Sequence, residues 1–177
     1  PSCAWELAHL TIRGVSPDPG NSNKGHVVLS GKSQHFRVHH VRFVDQKTAA
    51  IRTYGDLAGV IDSSEFVANN EQGIIVSHRG FDGHRFGDGS WAAPLTPGGP
   101  RAIYIEDNVF RELNPKYTLG AIDAMEGARV VFRYNTLVGR GIGSHGTESG
   151  QRFRSVRWFE IYNNRFERDP KQYEQFD

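Results

Sequence analysis

Three stretches decide the reading of this chain: Tyr104-Ile105-Glu106-Asp107-Asn108-Val109-Phe110, Val131-Phe132-Arg133-Tyr134-Asn135-Thr136-Leu137, and Phe159-Glu160-Ile161-Tyr162-Asn163-Asn164-Arg165-Phe166. Each alternates apolar and polar residues, reaches an Asn, and places an apolar residue two positions later. Alternation of this kind is the mark of a half-buried strand. Asn is a residue of sharp corners, because it tolerates left-handed backbone.

Working outward, the same pattern occurs six times: Trp5 to Ile12, Phe36 to Phe43, Gly59 to Phe66, Ile103 to Phe110, Val130 to Leu137 and Phe159 to Phe166. Stacking the copies gives columns. The first is Trp5, Phe36, Gly59, Ile103, Val130, Phe159, and the second is Leu7, Val38, Ile61, Ile105, Phe132, Ile161. The last is Ile12, Phe43, Phe66, Phe110, Leu137, Phe166. Two positions before it runs a column that becomes polar: Leu10, Val41, Ser64, Asn108, Asn135, Asn164. Identical Asn side chains stacked at the ~4.8 Å strand spacing can bond to one another. Successive copies start 31, 23, 44, 27 and 29 residues apart. Apart from the longest step, that spacing suits one solenoid coil per copy. An antiparallel sandwich also has many short strands, but gives no reason for Asn-x-apolar to recur at one register. The expected fold is therefore an all-β parallel solenoid of about six coils.

A second strand is expected in each coil: His26 to Ser30, Thr48 to Tyr54, Gly73 to His78, Gly120 to Met125 and Gly141 to His145. Its inward column is expected to be Ile51, Ile75, Ile122 and Ile142. A third strand has no pattern of its own.

The remaining composition agrees. The chain has 20 Gly and 11 Phe against one Met, and little of it shows helical periodicity. With 21 basic and 20 acidic residues the net charge is +1, which gives no field for nucleic acid or an anionic membrane. No apolar run approaches the ~20 residues of a membrane span, so no membrane insertion is expected. Pro1-Ser2-Cys3-Ala4-Trp5-Glu6 lacks the layout of a signal peptide, and the chain reads as a stretch of a longer one. Cys3 is the only cysteine, so neither an internal disulfide nor a cysteine cluster can form. The repeat region spans 1–168, and 169–177 read as a polar tail or linker.

The three quoted stretches resemble coils of the pectate-lyase-like right-handed parallel β-helix superfamily, and the resemblance runs from Trp5 to Phe166. It implies a right-handed solenoid that handles sugar chains in a groove along its outside, as a lyase or hydrolase in an extracellular or cell-surface setting. The flavour is that of bacterial β-helix repeat proteins. No catalytic signature of the superfamily is present to carry over. Fold-level analogy is a weak guide to activity. A non-catalytic binding, adhesive or filament-forming module, associating end to end through open strand edges, is the alternative.

In a solenoid the inward columns are packing, so chemistry belongs to outward columns and long loops. Two connections, Arg79 to Arg101 and Gly146 to Arg157, are expanded at the same corner. Outward positions beside them place His78, Asp123 and His145 on consecutive coils, with Glu126 and Glu148 at the turn. An imidazole beside a carboxylate is suited to acid/base work. The bland reading is that Asp123 pairs with a neighbouring His or Arg on a solvated face. Arg52 and Arg140 suit a uronate carboxylate, and Tyr54 shares the face. In the first loop Trp91 suits a sugar face, or else caps the stack, and Arg85 suits an acidic group. Asp82 and Asp88, interleaved with glycines, suggest calcium, although turn formation explains them equally. A second candidate face carries Asp62, Glu106 and Arg133 with Asp107 beside them, which reads most simply as cross-strand ion pairing. His9, His35, His39 and His40 read as structural, without a metal-like arrangement.

Overall fold

The computed structural model describes residues 4–14, 25–46, 48–68, 72–113, 120–146 and 154–167. They form thirteen strands: β1 (Ala4–Arg13), β2 (Val27–Gln46), β3 (Ile51–Asp62), β4 (Glu65–Ala68), β5 (Ile74–Ser77), β6 (Ile103–Glu106), β7 (Val109–Glu112), β8 (Ile122–Met125), β9 (Arg129–Arg133), β10 (Thr136–Val138), β11 (Gly143–Ser144), β12 (Trp158–Tyr162) and β13 (Arg165–Glu167). They join in one curled sheet, and every pairing among the described residues is parallel.

The pairing follows the sequence columns. Trp5 lies across from Phe36, Phe36 from Gly59, Gly59 from Ile103, Ile103 from Val130, and Val130 from Phe159. The last column also holds, from Ile12 through Phe43, Phe66, Phe110 and Leu137 to Phe166. From Phe36 to Leu137 the side chains on these columns form one buried core. Within it Phe43, Phe66 and Phe110 stack face to face, with ring centroids 4.9 and 4.7 Å apart.

The unplaced third strand is the tail of the repeat itself. Beyond each corner the chain straightens again and pairs separately, as β4, β7, β10 and β13 do. The corner also differs in detail from expectation. Positive φ falls on the residue before the ladder position: His9, His40, Ser63, Asp107, Tyr134 and Asn163. The ladder residue instead turns its side chain to the backbone. Asn108 Nδ2 donates to Ile61 O at 2.8 Å and to Asn135 Oδ1 at 3.1 Å. Asn135 Nδ2 in turn donates to Asn164 Oδ1 at 3.1 Å. Asn108 and Asn135 are buried, and buried backbone groups need such partners.

The second strand shows a register error of one residue. Ile51 pairs with Ile74, and Ile74 with Ile122, so Ile74 and not Ile75 fills the inward column. Three consecutive apolar residues, Ile74-Ile75-Val76, hide the alternation that would have set the register.

The first long loop is not irregular throughout. It makes short 3-10 turns and a one-turn helix, α1 (Asp88–Ala92), and buries Phe81. Arg129 of β9 clasps it. The buried guanidinium donates from Nε to Ser90 Oγ at 2.8 Å and from Nη2 to Ser90 O at 2.6 Å. It also lies over the rings of Phe81 and Trp158 at 4.6 and 4.8 Å. Among the described residues no helix is long and apolar enough to cross a membrane.

Candidate functional site

The pairing of Asp123 with Gly143 brings Asp123 beside the residue that follows β11. His145 Nδ1 lies 2.6 Å from Asp123 Oδ1, and Gln72 Nε2 donates to Asp123 Oδ2 at 3.0 Å. The carboxylate is buried while the imidazole is about one-third exposed, with 38% of its side chain reachable. With Nδ1–H donated to the carboxylate, Nε2 carries the lone pair. An imidazole so oriented is suited to acid/base work.

His78 does not join this pair. The one-residue shift of β5 turns it away, so that it is fully buried, 5.5 Å from the Phe81 ring, with Nε2 donating to Leu57 O at 3.1 Å. Burial pushes its pKa down to about 4. Glu126 sits on the same corner but both its oxygens are engaged, with Arg79 at 2.7 Å and Ser77 Oγ at 2.6 Å. Glu148 and the 169–177 tail lie outside the described residues.

The expected binding residues divide in the same way. Arg52 lies over the Tyr54 ring at 4.7 Å. Arg140 is buried, 3.7 Å from Glu112 and bonded to Gly120 O, so it faces the interior and not a ligand. Arg85 is exposed on the loop. Trp91 Nε1 donates to Ser155 O, and Arg154 and Arg157 lie over its ring at 5.7 and 5.1 Å. Asp82 meets Arg101 at 3.4 Å and Asp88 meets Arg154 at 2.8 Å, so each of the two suggested calcium ligands has its own arginine.

A cleft of about 540 Å³ opens beside Tyr54. Lys32, Tyr54, Asp56, Arg79 and Asp82 line it, and its floor is bare backbone at Gly31 and Gly55. Gly55 has φ 111°, and a Cβ there would lie 2.2 Å from Gly31 O, so only glycine fits. Burial alone would raise the Asp56 carboxyl, but hydrogen bonding and charge from Arg101, with Gln34 and Lys32, hold it below its ordinary value. This cleft was missed in the sequence because its walls come from glycine corners.

On the other face Asp62, Glu106 and Arg133 do share a column. Each carboxylate is paired: Asp62 with Arg37 Nε and Nη2 at 2.9 and 2.7 Å, and Glu106 with Arg133 at 2.6 Å. The early histidines depart from expectation. His9, His39 and His40 come together, with one ring nitrogen of each within 4.8 Å of the others. Alignment of the copies held the signal, since His9 and His40 both stand one residue before the ladder position.

Comparison with known proteins gives no match to any family model, curated protein or solved structure.

Proposed function

We propose that the chain is a stretch of right-handed parallel β-helix of the pectate-lyase-like kind that cleaves an extracellular acidic polysaccharide by elimination. The handedness follows from the general rule for parallel crossovers. The observation that carries the activity is the Asp123–His145 pair, a half-open imidazole oriented by a buried carboxylate. It lies on the face that also carries Arg52 and Tyr54. Arg52 pairs with Ile75 and Ile75 with Asp123, which sets Asp123 ~10 Å along the stack from Arg52.

In this reading Lys32 in the cleft, 3.5 Å from Asp56 and with 72% of its side chain exposed, meets a sugar carboxylate, and Tyr54 packs against a ring. His145 Nε2 removes the proton beside a uronate carboxylate. The C–H electron pair becomes a carbon–carbon double bond, and the glycosidic C–O bond breaks with its pair on oxygen, which takes a proton from water. Elimination is preferred to hydrolysis because glycoside hydrolysis asks for two available carboxylates, and Asp62, Glu106, Glu126 and Asp123 are each already tied to a basic or hydroxyl partner. Calcium enters only as an added helper of carboxylate binding, because Asp82 and Asp88 are each taken by an arginine.

The experiment is a panel of acidic and neutral polysaccharides, with and without calcium, read for reducing ends and for the ultraviolet absorbance of unsaturated uronates. Both signals together, lost about 100-fold in His145→Asn, support the reading. Reducing ends without absorbance, or no product at all, sink it.

One observation favours the non-catalytic alternative. On the last described repeat Ile161 and Phe166 of the packing columns are 47% and 57% exposed, so this surface is suited to receive further coils. Concentration-dependent assembly in analytical ultracentrifugation, with silence across the sugar panel, would establish a stacking module instead.

A further inference from the structure

The three histidines of the first two repeats form a cluster that neither the cleft nor the Asp123–His145 pair uses. Parallel pairing of β1 and β2 sets Ala8 across from His39 and Leu10 across from Val41, which leaves His9 beside His40 at the corner. Both corner residues have left-handed backbone, with φ 57° and 52°, and this projects their rings together. The two rings stack with centroids 5.0 Å apart at 28°. His39 meets both edge-on, at 5.4 and 5.0 Å.

The hydrogen bonding of His39 fixes which nitrogen is presented. Its Nε2 bonds the Glu6 carboxylate, which can only accept. In the neutral ring Nδ1 is then the acceptor, and it faces His40 Nδ1 at 2.7 Å. His40 Nδ1 then donates to it. An imidazole whose far nitrogen is held by a carboxylate is the arrangement that orients metal-ligating histidines and raises their basicity.

We propose that His9, His39 and His40 bind a zinc-class divalent ion, with Glu6 as the orienting partner of His39. Imidazole donors select zinc, nickel or copper over calcium. At metal–nitrogen distances of about 2.0–2.1 Å a tetrahedral ion sets its nitrogens about 3.4 Å apart. The His39–His40 pair opens by roughly 0.7 Å to reach that, and the exposed His9 and His40 rings are free to swing. Three protein ligands leave the fourth position to water. The ion joins β1, an edge strand, to β2, so binding stabilises the first repeat.

The test is titration of the tag-free chain with zinc chloride by calorimetry, and with cobalt to read the visible bands of a tetrahedral site. Expected is one equivalent bound, with affinity at least tenfold weaker in the double variant His9→Asn, His40→Asn. Asn accepts the left-handed corner, so circular dichroism of that variant should be unchanged. His84→Asn, a distant exposed histidine, should bind as the parent does. No binding at one equivalent, or a double variant that binds zinc like the parent, overturns the proposal.

Discussion

The side-chain oxygen of Asn135 accepts two hydrogen bonds from Asn108, one from its backbone N–H at 3.0 Å and one from its carboxamide at 3.1 Å. One side chain thus closes the corner of the neighbouring repeat, while its own Nδ2 satisfies Ile105 O and Arg133 O at 2.9 Å each. Asn135→Ala leaves these buried groups without partners. Each such group costs about 1–3 kcal/mol, so the expected loss is roughly 3 kcal/mol. Urea unfolding should show it as a lower midpoint. Asn164→Ala, on the more exposed last rung, should lose less.

His78 makes stability depend on pH in a defined window. Its folded pKa, about 4, lies below its ordinary 6.5, so protons bind the unfolded chain preferentially between the two. The stabilisation is complete above pH 6.5 and is lost as pH falls toward 4, a change on the order of 3 kcal/mol. His78→Gln should flatten that slope. His26, also lowered by burial, adds to the slope in the same direction. Asp56 and Asp62 are held below their ordinary value of 3.8, so their contribution is lost only at more acid pH. Urea midpoints at pH 7 and 4.5 check this: an unchanged slope in the variant would remove His78 from the account.

Arg129 fixes the inserted loop to the strand stack. Burial pushes its pKa down to about 10, yet it stays charged at neutral pH, held by Ser90 and two aromatic faces. Arg129→Ala removes two charge-assisted bonds and both ring contacts, roughly 3 kcal/mol. Limited trypsin digestion should then cut after the exposed Arg85 well before the rest of the chain, whereas the parent loop resists.

Much of this architecture could be read from residues alone, and the failures have physical causes. The packing columns were legible because the Asn-x-apolar step marks the register in each of the last three copies. The second strand lacks such a marker. At Ile74-Ile75-Val76 nothing distinguishes inside from outside, so the pattern alone allows the strand to sit one residue off and His78 to face outward. The Asp123–His145 contact survived because β8 and β11 are bounded by glycines that fix their alignment. Pairings such as Glu126 with Arg79 and Arg140 with Glu112 depend on which side chains fold back at corners, which no period encodes. The histidine cluster is hidden because His9 and His40 are thirty-one residues apart, and only the column one residue before the ladder brings them together.

The ladder changes character along the chain, with Leu10 and Val41 at its first two positions, Ser64 at the third and Asn at the last three. A strand that slips by one residue turns its whole apolar set outward. In the last three repeats the same slip also strands carboxamides and backbone N–H groups in the core, so an error there is rejected twice. In the first two, no ladder carboxamide adds to the fit of apolar side chains. The sheet therefore checks its register twice in the C-terminal half, and misregistered early strands are the mistake that it is least equipped to reject.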